Sequence, residues 1–219
     1  KQELFENINN EIISMRASAN EESSLIQFFG SNIKSFGEAG SMDPEILEKL
    51  VSPMGDQRCG QTSCFGVYGL TKPAKHTGVD VGNNGGKPEL FSIYSGKVVR
   101  IVIGSGNCQP NFERDPICIG PCTPTQIIIE HEIMVSGISR KLYSYYVHLD
   151  SIAPGLSVGS TVYIGQFIGI MGNTGCSSNT HLHFEIWDEQ KKRHNPEELL
   201  KKVECRMIPT CEVARERHL

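Results

Sequence analysis

The sequence carries no surplus of positive charge. Twenty-one Lys and Arg face 25 Asp and Glu, for a formal net charge of −4. Nucleic-acid binding draws on a basic face, so no nucleic-acid partner is expected. No apolar run approaches the roughly 18 residues of a membrane span, so none is expected either. N-x-S/T sequons are absent, and there is a single Trp. The first 20 residues are polar and mixed in charge, without the apolar stretch of a leader. The chain therefore reads as cytosolic or as a mature secreted form. Residues 1–52 contain no cysteine and very little glycine.

Eight cysteines decide between the two compartments: Cys59, Cys64, Cys108, Cys118, Cys122, Cys176, Cys205 and Cys211. An even, high count without a repeated CxxC pair favours disulfides and an oxidising, extracellular or periplasmic location. Cys59 and Cys64 enclose a four-residue loop containing Gly60, which predicts a local bridge. Cys205 and Cys211 flank a stretch with Pro209 and are expected to pair likewise. One of Cys108, Cys118 and Cys122 is then expected to bond Cys176. Cys118-x3-Cys122 also has zinc-ligand spacing, but the surrounding prolines and the even count favour disulfides.

Residues 1–52 read as helical. Leu4, Ile8, Ile12 and Ile13 fall at helical spacing, and Leu25, Phe28, Phe29 and Ile33 repeat it. Asp43-Pro44 opens a short helix, with Asp43 as cap and Pro44 in the first turn. The segment is expected to lie beside the rest of the chain, either as a stabilising appendage or as a partial cover for the active groove. From residue 53 onward, β runs alternate with turns. They are Val79–Val81, Leu90–Ile93, Lys97–Ile103, Gln126–Met134, Lys141–His148, Thr161–Ile164, Gly169–Met171 and His181–Trp187. Gly104–Thr125, rich in cysteine and proline, is expected to be a stapled surface loop. A closing helix follows Asn195-Pro196.

Three motifs carry chemistry. In His76-Thr-Gly-Val-Asp80, a fully extended strand would hold the two end residues about 13 Å apart, too far to share an ion. A bend at Gly78 can bring them to one point. In His181-Leu-His183-Phe-Glu185, the period of two puts both imidazoles on one face and Leu182 and Phe184 on the core side. One histidine can bind a metal while the other faces substrate. His148 ends a β run in which Leu142, Ser144 and Tyr146 are expected to share its face. Two neutral imidazoles and a carboxylate form the ligand set of a catalytic zinc site with an open fourth position, which acidifies water and polarises carbonyls. A spare histidine can act as base or stabilise an oxyanion.

These motifs resemble the lysostaphin-like zinc endopeptidases, peptidase family M23. The resemblance runs from about Lys75 to Leu200. It includes His76-x-Gly-Val-Asp80, Ser95-Gly-Lys-Val98, Tyr146-x-His-Leu149, Gly159-x5-Gly165-Gln166-x2-Gly169, Gly172-Asn-Thr-Gly175 and His181-Leu-His-Phe-Glu185. It implies an α+β, mainly β fold: an antiparallel lysostaphin-like core over 53–219, preceded by the helical segment 1–52. It implies Zn2+ held by His76, Asp80 and His183, with His148 and His181 as catalytic histidines, and a peptidoglycan peptide as substrate. Cys59-x4-Cys64 followed by the His76 motif also resembles the leukocyte cell-derived chemotaxin branch. That resemblance, with the acidic charge, supports the alternative of a secreted, zinc-stabilised binding or signalling module without catalysis.

Overall fold

The computed structural model describes residues 42–66, 76–108, 122–203, 205–208 and 211, and the backbone of 110–111 and 117–118. The helices expected over residues 1–41, and any cover they give the groove, lie outside the described residues. All described residues fall within one compact unit, Glu38–Leu219.

Helix α1 (Pro44–Lys49) begins as the sequence predicts. The Asp43 side chain accepts from the Glu45 N–H at 2.9 Å, and Pro44 occupies the first turn, where its missing N–H costs nothing. The strands follow as β1 (Cys59–Ser63), β2 (Val79–Gly82), β3 (Glu89–Phe91), β4 (Gly96–Val102), β5 (Asn107–Cys108), β6 (Pro110–Asn111), β7 (Ile117–Cys118) and β8 (Thr125–Val135). Next come β9 (Ile138–Ile152), β10 (Thr161–Val162), β11 (Phe167–Met171), β12 (Gly175–Cys176), β13 (Leu182–Asp188) and β14 (Arg193–His194). Helix α2 (Glu197–Lys201) and β15 (Cys205–Arg206) are the last two elements.

Eight strands form the main path of one sheet in the order β10-β4-β8-β9-β13-β2-β1-β15, with β3, β11 and β14 attached beside it. Every pairing in this sheet is antiparallel except β1 with β15. Ile127 and Ile129 on β8, Leu142 and Tyr146 on β9, Phe184 and Ile186 on β13, and Val79 and Val81 on β2 turn to one side and form the core. Leu199 and Leu200 of α2 close it, together with Met42, Leu50 and Met54 from around α1. The fold is mainly β, as expected. Each of the eight β runs read from the sequence contains a strand, with ends shifted by a few residues.

The expected local disulfides do not form. Cys59 bonds Cys205 and Cys64 bonds Cys211. The reason is the short strand β1, which its polar sequence did not reveal. An extended run from Cys59 to Cys64 spans about 16 Å, well beyond the reach of a disulfide. In β15, by contrast, Cys205 lies directly opposite Cys59, with Cα atoms 4.5 Å apart. Cys108 bonds Cys122, which staples the loop as expected and removes Cys122 from any zinc site. Cys176 is disulfide-bonded, as expected; Cys108 and Cys122 bond each other, and the side chain of the third candidate partner, Cys118, lies outside the described residues. The loop also meets the groove wall through its backbone, because Gly175 and Cys176 pair with Asn107 and Cys108.

Candidate active site

The site grows from the register of β2 against β13. His183 lies directly opposite Asp80. Leu182 and Phe184 are fully buried in the core, so His183 and its neighbour on the same side, His181, face outward. The chain bends at Thr77 and Gly78 before entering β2, which returns His76 to Asp80. The bend admits only glycine at position 78, where a Cβ would stand 2.3 Å from the Phe184 carbonyl oxygen.

Three donor atoms converge. His76 Nε2 is 3.0 Å from His183 Nδ1 and 3.2 Å from Asp80 Oδ1, and His183 Nδ1 is 3.0 Å from the same oxygen. The outer nitrogens fix the tautomers. His76 Nδ1–H donates to the Cys64 carbonyl at 2.8 Å, and His183 Nε2–H donates to Glu185 Oε1 at 2.9 Å. The inner nitrogens of both neutral rings are then bare lone pairs aimed at a carboxylate oxygen. Such a triangle of acceptors needs a cation at its centre. Its edges are close to the roughly 3.3 Å expected between ligands on tetrahedral zinc with bonds of about 2.0–2.1 Å. His76 and Asp80 are buried, so the cluster is shielded on the protein side.

The electrostatics of the cluster are those of imidazoles packed against buried carboxylates. Burial alone would lower the His183 pKa, but hydrogen bonds to Asp80 and Glu185 outweigh it and raise the value to about 10. Burial would raise Asp80, yet the neighbouring His76 and His183 hold its carboxyl well below the usual range. For Glu185 the same contest, with His183, Arg193 and Thr77 as partners, ends at about 2.

His181 and His148 stand beside this cluster. His181 Nδ1–H donates to the Asn179 carbonyl at 2.8 Å, and its Nε2 lies 3.7 Å from Asp80 Oδ1, farther than either nitrogen of the triangle. The His148 ring centre is 4.8 Å from that of His181 and 6.3 Å from that of His183. Its Nδ1–H donates to the Thr174 carbonyl at 2.8 Å, leaving Nε2 as an acceptor. Burial, then the nearby His181, push its pKa down to about 4, so the ring is neutral at pH 7.

The expectation that His148 shares a face with Leu142, Ser144 and Tyr146 is corrected. Those three side chains are buried on the core side, and the next core residue is Leu149 rather than 148. The alternation breaks because His148 adopts φ 69°, a left-handed conformation costly for a residue with a Cβ. That kink turns the imidazole out of the core and into the site.

Two supporting groups escaped the sequence reading. Glu185 was read only as part of a motif, yet its carboxylate orients His183, accepts from Thr77 Oγ1 at 2.5 Å and from Arg193 Nε at 2.9 Å, and takes the Trp187 Nε1–H. Its position two residues beyond His183, on the same strand face, was the available signal. Thr174 holds His148 through its carbonyl, while its hydroxyl donates to the Leu149 carbonyl at 2.8 Å. Nothing in Gly172-Asn-Thr-Gly175 taken alone points to that contact.

Comparisons with known proteins place this arrangement. An uncharacterized metalloprotease of Buchnera aphidicola subsp. Baizongia pistaciae (strain Bp) is 43% identical over 60 residues, which are 27% of this chain and 15% of that protein. The match thus spans only a small part of that relative. An M23-family protein from Pseudomonas aeruginosa is similar in structure, with TM-score 0.48 and 18% identity, over 82% of this chain and 60% of that one. The catalytic domain of the antimicrobial peptidase lysostaphin from Staphylococcus simulans gives TM-score 0.42 and 24% identity, over 73% of this chain and 98% of that domain. The model of peptidase family M23 matches residues 74–196, a span that contains all five site residues and more than half of the sequence. The chain belongs to peptidase family M23.

Proposed function

We propose that the protein is a secreted zinc endopeptidase that hydrolyses peptide bonds in peptidoglycan cross-links. The observation that carries the reading is the convergence of three lone pairs from His76, Asp80 and His183 within 4.8 Å, beside two further imidazoles. A zinc ion held by these three residues supplies a Lewis acid that polarises the scissile carbonyl and acidifies water. His76 and His183 bind as neutral rings, kept in that form by the Cys64 carbonyl and Glu185. His148 Nε2, free and unprotonated at pH 7, accepts the proton of the attacking water. His181 presents Nε2 on the Asp80 side, where it can take up or hand on a proton of the substrate. The disulfides fit an oxidising compartment and support secretion.

The test is incubation of the zinc-loaded protein with purified peptidoglycans of different cross-links, followed by mass identification of new amine ends. New ends that are lost in His148→Ala support the reading. No new ends on any wall preparation, with zinc bound stoichiometrically, overturn it in favour of a zinc-stabilised binding module.

A further inference from the structure

A second recess adjoins the candidate metal centre where β1, β2 and β15 meet. Cys59 and Cys205 face each other across the parallel pair and are disulfide-bonded, and each has an arginine beside it in sequence, Arg58 and Arg206. Gly60 lies opposite Gly82 across β1 and β2. A Cβ at Gly60 would meet nothing within 4 Å, so packing does not demand glycine there, and its absence of a side chain leaves the floor bare. Arg58, Gly60, Gly82, Asn83, Asn84 and Arg206 line a pocket of about 350 Å³. Both arginines are exposed, and neither is hydrogen-bonded or ion-paired among the described residues.

The recess lies on the catalytic face of the sheet. Side chains alternate along β2, and Val79 and Val81 point into the core, so Asp80 and Gly82 share the outer face. They are about 6.6 Å apart along the strand, two residues of an extended peptide. Gly82 stands one step beyond the Val81–Leu182 pair, beside the chain that carries His181. A Cβ at Gly82 would be 3.8 Å from the Thr180 carbonyl oxygen.

In a chain of net charge −4, two guanidinium forks with no partner among the described residues and two side-chain amides around a bare floor form a receptor for a planar anion. The disulfide ties together the two backbone stretches that carry the arginines. The geometry points to a carboxylate subsite: the recess holds a free carboxylate of the substrate peptide about two residues from the bond that is cut. The assignment rests on the peptidase reading above and adds to it a preference for bonds near a chain end or an acidic group.

The experiment compares pentaglycine with pentaglycine amide as substrates of the zinc-loaded protein, for the parent, Arg58→Gln, Arg206→Gln and the double variant. Thermal melts confirm that each is folded. Calorimetric binding of diglycine and diglycinamide is measured alongside. A charge-assisted contact predicts that the parent favours the acid over the amide by roughly ten- to hundredfold in kcat/KM, and that the double variant brings the ratio close to one. Equal ratios in parent and double variant overturn the subsite. If the parent cuts neither peptide, the peptidase reading fails on these probes and calorimetry decides the subsite. Diglycine bound by the parent but not by the double variant upholds carboxylate binding; no difference between diglycine and diglycinamide refutes it.

Discussion

Replacing Glu185 with glutamine tests how far the candidate centre depends on a residue that donates nothing to it directly. In the native protein Oε1 receives His183 Nε2–H and Thr77 Oγ1–H, while Oε2 receives Trp187 Nε1–H and Arg193 Nε–H. All four partners are donors, and the carboxylate is 4% exposed. Glutamine offers one oxygen, and its amide group points N–H bonds at two of the donors. If the amide faces Trp187 and Arg193, a buried N–H and a guanidinium lose their acceptor. If it faces His183, the imidazole loses the contact that fixes its tautomer. Stranded buried donors cost about 1–3 kcal/mol each, and breaking a buried charge pair costs about 3–5 kcal/mol. The melting temperature should therefore fall by roughly 6–20 °C for a domain of this size. Zinc affinity should fall by roughly ten- to a hundredfold, measured by competition with a chromogenic chelator. A variant that melts within about 2 °C of the parent and holds zinc equally tightly would refute the argument that Glu185 both orients His183 and ties β13 together.

His148→Ala and His181→Ala should keep near-stoichiometric zinc and lose roughly a hundred- to ten-thousandfold in turnover, whereas Asp80→Ala and His183→Ala should lose zinc and activity together; zinc stripped by His181→Ala alone would show that the roles of His181 and His183 are exchanged. Wholly buried His131 accepts from Ser144 Oγ, and burial lowers its pKa from 6.5 to about 4. The unfolded chain takes up this proton near pH 6.5 and the folded chain only near 4. The stability it contributes is thus complete above pH 6.5 and is lost as the pH falls to 4, about 3 kcal/mol in all. Urea unfolding should show that His131→Gln removes this part of the acid sensitivity, and parallel pH curves for parent and variant would contradict it. Gly78→Ala should destabilise by about 1–3 kcal/mol, because its Cβ would stand 2.3 Å from the Phe184 oxygen; an unchanged denaturation midpoint would show that the bend has room to spare.

What was legible in the sequence had a period or a fixed chemistry. The alternating apolar residues of β8, β9 and β13 announced strands, and His181-Leu-His-Phe-Glu185 announced which side faced out. The bend at Gly78 followed from a distance argument alone. What failed to show was set by partners far away in the chain. β1 reads Cys-Gly-Gln-Thr-Ser, with no apolar alternation, and exists because β2 and β15 hydrogen-bond to it. The disulfides follow that strand rather than the spacing of the cysteines. The orientation of His148 reverses the pattern of its own strand because the backbone takes φ 69° there, with Thr174 receiving the ring. The buried carboxylate of Glu197, which accepts from Gln61 Nε2 at 2.9 Å and Phe65 N–H at 3.0 Å, likewise depends on partners more than 130 positions away and leaves no mark in the sequence of its own short helix.

Cys64 serves two purposes with two of its atoms. Its sulfur closes the bond to Cys211, and its carbonyl receives the Nδ1–H of His76, while Gly66 N–H donates to the His76 carbonyl at 2.8 Å. The two half-cystines are 147 positions apart, so the bond behind His76 can close only after Cys211, five residues beyond β15, has been made. If His76, Asp80 and His183 hold zinc as proposed, closing this bond braces one ligand from behind, and the oxidised protein should hold the metal more tightly than the reduced one. A chelator competition run with and without a thiol reductant would then read the brace directly, as a weaker hold on zinc in the reduced protein.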